Sequence, residues 1–302
     1  MKRFLLPALA LLLIITLIAC SAPAQLQILL DNKEIDTLSM NIGASRSLST
    51  NIPQGAAWQS SDETVVKITS SGKISALKEG TVTVTLTADG KTDRITVTVA
   101  KEPVVWTIGD SIFDFNDNSD HEAIPTMLRT LGYTNYCLDN IGGATICAGV
   151  GNGNSIQEHI QSGLYQDFLD KQGTPDLIIL FRGTNDIYLR GSHPEQFAAI
   201  TVEQTLQNVC NYFSTSFPNT RIVWATPMWR LGIDEGVMKE FRNVLHTTCK
   251  QHGIEVFDLH LQEPFASLNE KNYKDVLSDG VHPTYVVSFQ MGNAFVKYLT
   301  GK

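Results

Sequence analysis

Three short motifs carry residues able to do chemistry: Gly109-Asp110-Ser111, Gly183-Thr184-Asn185-Asp186 and Asp279-Gly280-Val281-His282-Pro283. A serine hydroxyl is a poor nucleophile until a nearby imidazole accepts its proton, so Ser111 needs a base, and His282 is the candidate. The imidazole must in turn be held in one tautomer by an acceptor, a role Asp279 can fill from the same loop. Together the three side chains are equipment for acyl transfer. Taken singly, each motif is also ordinary turn chemistry, and Pro283 reads as the first position of a final helix. A helix start there sets the dipole against a charge on His282, while Asp279 favours the imidazolium as it forms.

What joins the motifs is their place relative to the elements around them. Short apolar runs at 104–108, 136–138, 177–181, 222–225 and 254–257 read as buried parallel strands. Helical patterns fall at 121–131, 155–169, 195–213, 235–252 and 284–299. This alternation predicts an α/β domain with an open, doubly wound parallel sheet, whose sites form at the carboxyl ends of the strands. The serine motif follows the first strand, the asparagine motif follows the third, and the histidine motif precedes the last helix.

In this order and spacing the motifs resemble the GDSL hydrolases, also called the SGNH family, over residues 104–302. The resemblance implies the flavodoxin-like SGNH fold. It also implies a serine esterase working through an acyl-enzyme, with Ser111, His282 and Asp279 catalytic and neither metal nor organic cofactor required. The family pattern builds its oxyanion hole from the Ser111 N–H, the Asn185 amide and the N–H of a second-block glycine. That block departs from the usual N-x-G-x-x-G: Asn140-Ile141-Gly142-Gly143-Ala144-Thr145 is shorter, so the donor is Gly142 or Gly143. Gly143 is preferred because Ala144-Thr145 follow it as in many relatives. Ile112 stands where the family has leucine, a conservative change. Phe113, Tyr188 and Trp229 are candidates for the substrate pocket, with Arg182, Arg190 and Arg230 as possible polar contacts; Trp224 is a weaker candidate.

Residues 25–100 have a different character. Val82, Val84 and Leu86 alternate with threonines, as do Ile95, Val97 and Val99, which gives each run one buried and one solvated face. Asp89-Gly90 and Ser71-Gly72 mark turns between such runs. The W-x-S-S-D core, the S-G-K-I-S-A-L segment and the E-G-T-V-T-V-T run resemble the bacterial Ig-like domains of group 2. That resemblance implies a small all-β sandwich acting as a spacer or adhesion module. Residues 101–103 read as a linker, since Pro103 cannot donate to a central ladder.

The N-terminus begins with Lys2-Arg3, continues with an apolar run over 4–19, and reaches Cys20 followed by small residues. This is a secretory pattern, too short for a spanning helix. Leu17-Ile18-Ala19-Cys20 resembles the bacterial lipobox, which implies a signal peptide over 1–19, acylation of Cys20, a tether over 20–24 and an extracytoplasmic protein anchored to the cell envelope. An ordinary signal peptide that contains a cysteine is the plainer alternative. The remaining cysteines, Cys137, Cys147, Cys210 and Cys249, show no zinc spacing and can be paired or free in an exported chain.

Other signals are weaker. A net charge of −8 with no basic cluster argues against nucleic acid. Gly149–Asn154 fails the phosphate-loop pattern at its last glycine and reads as a substrate loop. Asp114, Asn116 and Asn118 open a calcium-like pattern that lacks its glycine and its glutamate. The remaining histidines share no metal-ligand spacing, and the G-x-S-x-G elbow is absent. Two functions stand against each other: an esterase for short acyl groups, including acetyl on a glycan, and a surface adhesion lipoprotein with a degenerate hydrolase domain. The complete Ser, His, Asp and Asn set favours the enzyme.

Overall fold

A computed structural model describes residues 25–113, 122–197 and 201–301. The segment 1–24, with Cys20, the calcium-like stretch 114–120 and His121 lie outside the described residues. The chain divides into two compact units, 1–101 and 102–302. Among the described residues no helix is long and apolar enough to cross a membrane.

The first unit is all-β. Lys33–Glu34, Ile28–Leu30, Ser45–Thr50, Lys73–Ala76 and Val66–Ile68 form one sheet in that order; Thr37–Asn41, Lys91–Ala100, Gly80–Ala88 and Ala57–Ser60 form the other. The alternation has its expected result: Val82, Val84, Leu86, Ile95, Val97 and Val99 share one core while the intervening threonines face outward or lie half-buried. Asp89-Gly90 closes the hairpin, with Ala88 opposite Lys91.

The second unit has five parallel strands, β1 (Val104–Gly109), β2 (Asn135–Asn140), β3 (Leu177–Phe181), β4 (Arg221–Ala225) and β5 (Glu255–Phe257). Their order is 2-1-3-4-5, a doubly wound α/β sheet of the flavodoxin-like order. Consecutive residues alternate faces, so the strands read as unbroken apolar runs because both faces are covered. Val104, Trp106, Ile108, Leu180 and Trp224 pack under α2 (Ile156–Ser162), α3 (Leu164–Gln172), α5 (Val202–Ser216) and α6 (Glu235–Gln251). On the opposite face Val105, Ile179, Phe181 and Val223 pack under α1 (Ala123–Leu131) and α8 (Tyr285–Thr300), the latter preceded by the short α7 (Tyr273–Val276). The Ser288 hydroxyl of α8 accepts the backbone N–H groups of Glu122 and Ala123 at 2.8 and 3.0 Å, satisfying donors at the start of α1 that have no partner within the helix.

Three expectations change. The helix predicted over 155–169 is two, α2 and α3, because Gly163 in the left-handed region caps the first and opens the second. Residues 184–192 form a further helix, α4 (Thr184–Ser192), and the helix predicted from 195 starts at Val202. Pro283 is not the first residue of α8, which begins at Tyr285 after the cap Thr284. Pro283 instead pairs with Leu277 in a β-bridge, leaving His282 outside the helix dipole's first turn.

Candidate active site

The chemistry-bearing residues converge at the carboxyl end of the sheet. Past β1 the chain turns sharply: the Asp110 carbonyl accepts Phe113 N–H at 3.0 Å and its carboxylate accepts Ile112 N–H at 3.0 Å. Ser111 sits at the tip of this turn, half-buried. The turn at 279–282 approaches from the other end of the chain. Asp279 Oδ1 accepts the N–H groups of Val281 and His282 at 2.9 and 2.8 Å, which folds the loop around its own carboxylate.

These two turns meet in a continuous chain. Asp279 Oδ2 lies 2.7 Å from His282 Nδ1, and His282 Nε2 lies 2.8 Å from Ser111 Oγ. Desolvation alone would raise the Asp279 carboxyl. The His282 backbone N–H, the His282 ring and the Val281 N–H outweigh it and hold the group down at about 2. An ionised carboxylate can only accept, so Nδ1 carries the proton and Nε2 is left to accept from the serine hydroxyl. The array is set for proton transfer from Ser111.

The asparagine motif is positioned by its neighbours. Gly183, at φ 126°, makes the exit from β3, and a Cβ there would overlap the Phe241 ring. Asn185 then falls in the first turn of α4 and donates one amide hydrogen to Ala144 O at 2.9 Å, leaving its second for a ligand. Asp186, fully buried, accepts Ile146 N–H at 2.9 Å and Cys147 N–H at 3.0 Å. Desolvation pushes its carboxyl up from the ordinary value against those backbone donors. Asn185 and Asp186 thus moor the second-block loop to α4.

In that loop Ile141 to Ala144 form a β-turn, closed by Ala144 N–H to Ile141 O at 3.1 Å, with Gly143 at φ 73°. Positive φ at the third turn position is the mark of type II and suits glycine. The Gly142 carbonyl accepts from Asn152 at 2.7 Å. Because the peptide is planar and trans, the Gly143 N–H points away from Asn152. It is the α-carbon of Gly142, though, that faces Ser111: a Cβ on Gly142 would lie 3.9 Å from Ser111 Cβ, whereas one on Gly143 would meet Asn152.

Several pocket candidates lie elsewhere. Phe113 is core, stacked on Phe181 at 4.6 Å and edge-on to Phe295, because the turn after Ser111 folds it back under the sheet. Trp224 is also core, its indole N–H donating to Arg182 O at 3.3 Å. Trp229 lines a cavity of about 610 Å³ with His246, His260 and Phe265, and Ser111, Asn185 and His282 do not line it. Tyr188 stays half-exposed one turn beyond Asn185 on α4. Arg190 lies at the surface, 3.7 Å from Glu203.

Arg182 is no pocket residue either. It is fully buried and donates to the carbonyls of Gly109, Asp139, Thr145 and Asn154, and its guanidinium pairs with Asp139 Oδ1 at 2.8 Å. Asp139 also takes the Tyr165 hydroxyl at 2.7 Å and His159 Nδ1 at 2.9 Å. Sequence reasoning missed this network, and it missed Asp110 and Asp186, although both stand inside the quoted motifs. Asp110 is buried beside Ser111. Desolvation raises its carboxyl to about 6, against the Ile112 N–H, Arg182 and His282, which all favour its charged form. Cys137, Cys147, Cys210 and Cys249 are buried thiols. Among the described residues no group of three or more His, Cys, Asp or Glu side chains is arranged to hold a metal ion.

Comparison with known proteins gives the same frame. Residues 37–99 match the bacterial Ig-like domain of group 2. No curated protein matches the chain. A solved protein from Lactobacillus plantarum is 15% identical, with a TM-score of 0.52, covering 66% of this chain and 97% of its own. LAE5, an alpha/beta hydrolase enzyme from the metagenome of Lake Arreo, Spain, is 16% identical with a TM-score of 0.50, covering 66% and 95%. The acetyl xylan esterase AlAXEase is 21% identical with a TM-score of 0.49, covering 65% and 99%. Residues 107–286, more than half of the chain, match the GDSL-like lipase/acylhydrolase family. The chain belongs to that family of ester-bond hydrolases.

Proposed function

We propose that the protein hydrolyses carboxylic esters through an acyl-enzyme formed on Ser111. The observation that carries this reading is the unbroken Ser111–His282–Asp279 chain, with links of 2.8 and 2.7 Å between segments far apart in sequence. A degenerate scaffold would have no need to keep all three.

In this reading Ser111 Oγ attacks the ester carbonyl carbon as its proton passes to His282 Nε2, and Asp279 stabilises the imidazolium that results. The carbonyl oxygen becomes an oxyanion facing the Ser111 N–H, the free amide hydrogen of Asn185 and the Gly143 N–H. The tetrahedral adduct collapses, the C–O bond to the alcohol breaks, and the alcohol leaves with the proton from His282. Water then enters, gives a proton to His282 and attacks the acyl carbon; as the second adduct collapses the bond from the acyl carbon to Ser111 Oγ breaks, His282 returns that proton to Oγ, and the acid is released. No step needs a metal or an organic cofactor.

An exported, lipid-anchored chain with Cys20 at its head and the Ig-like unit as a spacer favours substrates outside the cell, short acyl groups such as acetyl on glycans among them. A fluorophosphonate probe tests the nucleophile: wild type should be labelled and Ser111→Ala should not. An unlabelled wild type, or equal labelling of the variant, would end the proposal. Radiolabelled palmitate incorporation that disappears in Cys20→Ser would support the anchor, and equal incorporation would remove it.

A further inference from the structure

Beside the catalytic turn lies a buried cation with no hydrogen-bonded carboxylate among the described residues. Of the buried arginines, Arg182 donates to carbonyls and to Asp139, and Arg242 donates to Pro227 O and Glu235. Arg230 is only 8% exposed, yet its guanidinium rests on the face of Tyr188, 4.3 Å from the ring centroid, and its buried Nε has no hydrogen-bond partner among the described residues. A guanidinium stripped of water on this scale retains donors that a ring face satisfies only in part.

Its location ties it to the reaction. The next residue, Leu231, donates its N–H to Gly280 O at 2.8 Å, and a Cβ on Gly280 would lie 2.9 Å from Leu231 Cβ, so this loop is docked on the turn between Asp279 and His282. Tyr188 is three residues beyond Asn185 on α4, hence on the same helix face. Tyr188 also borders an open cavity of about 550 Å³ lined by Ile233, Asp234, Val237 and Glu240; Arg230, Ser111 and His282 do not line it. Burial is the main influence on Arg230 and lowers its proton affinity, while Tyr188, Asp110 and Asp279 oppose that effect. Neither carboxylate is hydrogen-bonded to it: Asp279 is engaged by Val281 and His282, and Asp110 accepts Ile112 N–H through Oδ1 while its buried Oδ2 has no hydrogen-bond partner among the described residues.

We propose that Arg230, backed by Tyr188, is a specificity residue that receives a carboxylate of the substrate, so that the enzyme selects esters of acidic molecules over neutral ones. A carboxylate meets the guanidinium fork with two charge-assisted hydrogen bonds, whereas a sugar hydroxyl meets one donor and leaves the charge uncompensated. This inference rests on the esterase reading above.

The test pairs neutral and acidic esters: phenyl acetate against 4-acetoxybenzoate places the carboxylate on the alcohol side, and p-nitrophenyl butyrate against mono-p-nitrophenyl succinate places it on the acyl side. Wild type should favour the acidic member of one pair by about tenfold or more in kcat/KM, the effect residing in KM. Arg230→Gln should erase that preference while leaving the neutral ester within about threefold, and Arg230→Lys should retain part of it. The idea is overturned if wild type shows no preference in either pair, or if Arg230→Gln lowers neutral and acidic esters in parallel. Failure of the esterase reading looks different: neutral-ester turnover would then survive Ser111→Ala.

Discussion

Replacing Asn185 by alanine separates the oxyanion role from a structural one. The side chain does two things: one amide hydrogen holds Ala144 O at 2.9 Å, and the other is available to the reacting carbonyl oxygen. Losing the first removes one neutral hydrogen bond, worth about 1 kcal/mol of stability. On the proposed mechanism, losing the second removes one of three oxyanion donors, worth about 3 kcal/mol of transition-state stabilisation, which is roughly a 150-fold fall in kcat. The loop stays moored meanwhile, since Asp186 still holds Ile146 and Cys147, and Arg182 still holds Thr145 and Asn154. Initial rates on p-nitrophenyl acetate beside calorimetric Tm check both numbers. A domain of this size should lose only a few degrees while kcat falls about two orders of magnitude. Asn185→Asp should be worse than alanine, because an ionised carboxylate donates nothing and opposes the developing charge. If kcat for Asn185→Ala stays within threefold of wild type, Asn185 is not an oxyanion donor. If Tm collapses with it, the role is structural.

Other perturbations follow from the same geometry. Asp279→Asn should lower kcat by about 10³–10⁴ through loss of the correct imidazole tautomer, measured on the same ester; with its carboxyl held at about 2, Asp279 should contribute no acid limb to the wild-type rate profile above pH 4. Asp110 has the opposite sign: its folded carboxyl is raised from 3.8 to about 6, so the native state binds the proton more tightly than the unfolded chain. Its contribution to stability should therefore fall as pH rises from about 4 to about 6, by up to about 3 kcal/mol, and Asp110→Asn should flatten that slope in denaturant titrations; an unchanged slope would contradict the assignment. Arg182→Met leaves the buried Asp139 carboxylate without its cation and should cost about 3–5 kcal/mol, seen as a Tm drop of roughly 10 °C or more.

How much of this could be read from the chain depends on how local the cause is. Residues 177–181 are five apolar residues in a row, and β3 spans those five, because a strand covered on both faces needs little beyond hydrophobicity. Ser155 with Glu158 makes a capping box, so the start of α2 was legible, whereas its stop at Gly163 was hidden inside a continuing helical pattern. α4 was missed because 183–192 contain two glycines and two serine or threonine residues; what stabilises that helix is Asp186 holding backbone groups forty residues earlier. The mispositioned Pro283 has the same origin, since Thr284 N–H is taken by Val276 O and the helix can start only after it. The site motifs were legible as types and order. The core places of Arg182 and Phe113 were not, because burial and stacking are set by partners that no local pattern names.

The run from Arg182 to Asp186 touches a different part of the domain at almost every residue: the ends of β1 and β2, Phe241, Ala144, and the Ile146-Cys147 backbone. For an engineer this makes the five residues a unit of transplantation. A second-block loop grafted from a relative would arrive without its moorings unless this pentapeptide travelled with it. The segment from Trp229 to Ile233 is tied elsewhere, with Leu231 N–H on Gly280 O of the histidine turn and Arg230 stacked on Tyr188. Changes made there would act on the histidine turn and leave the Asn185 and Asp186 moorings of the second-block loop in place.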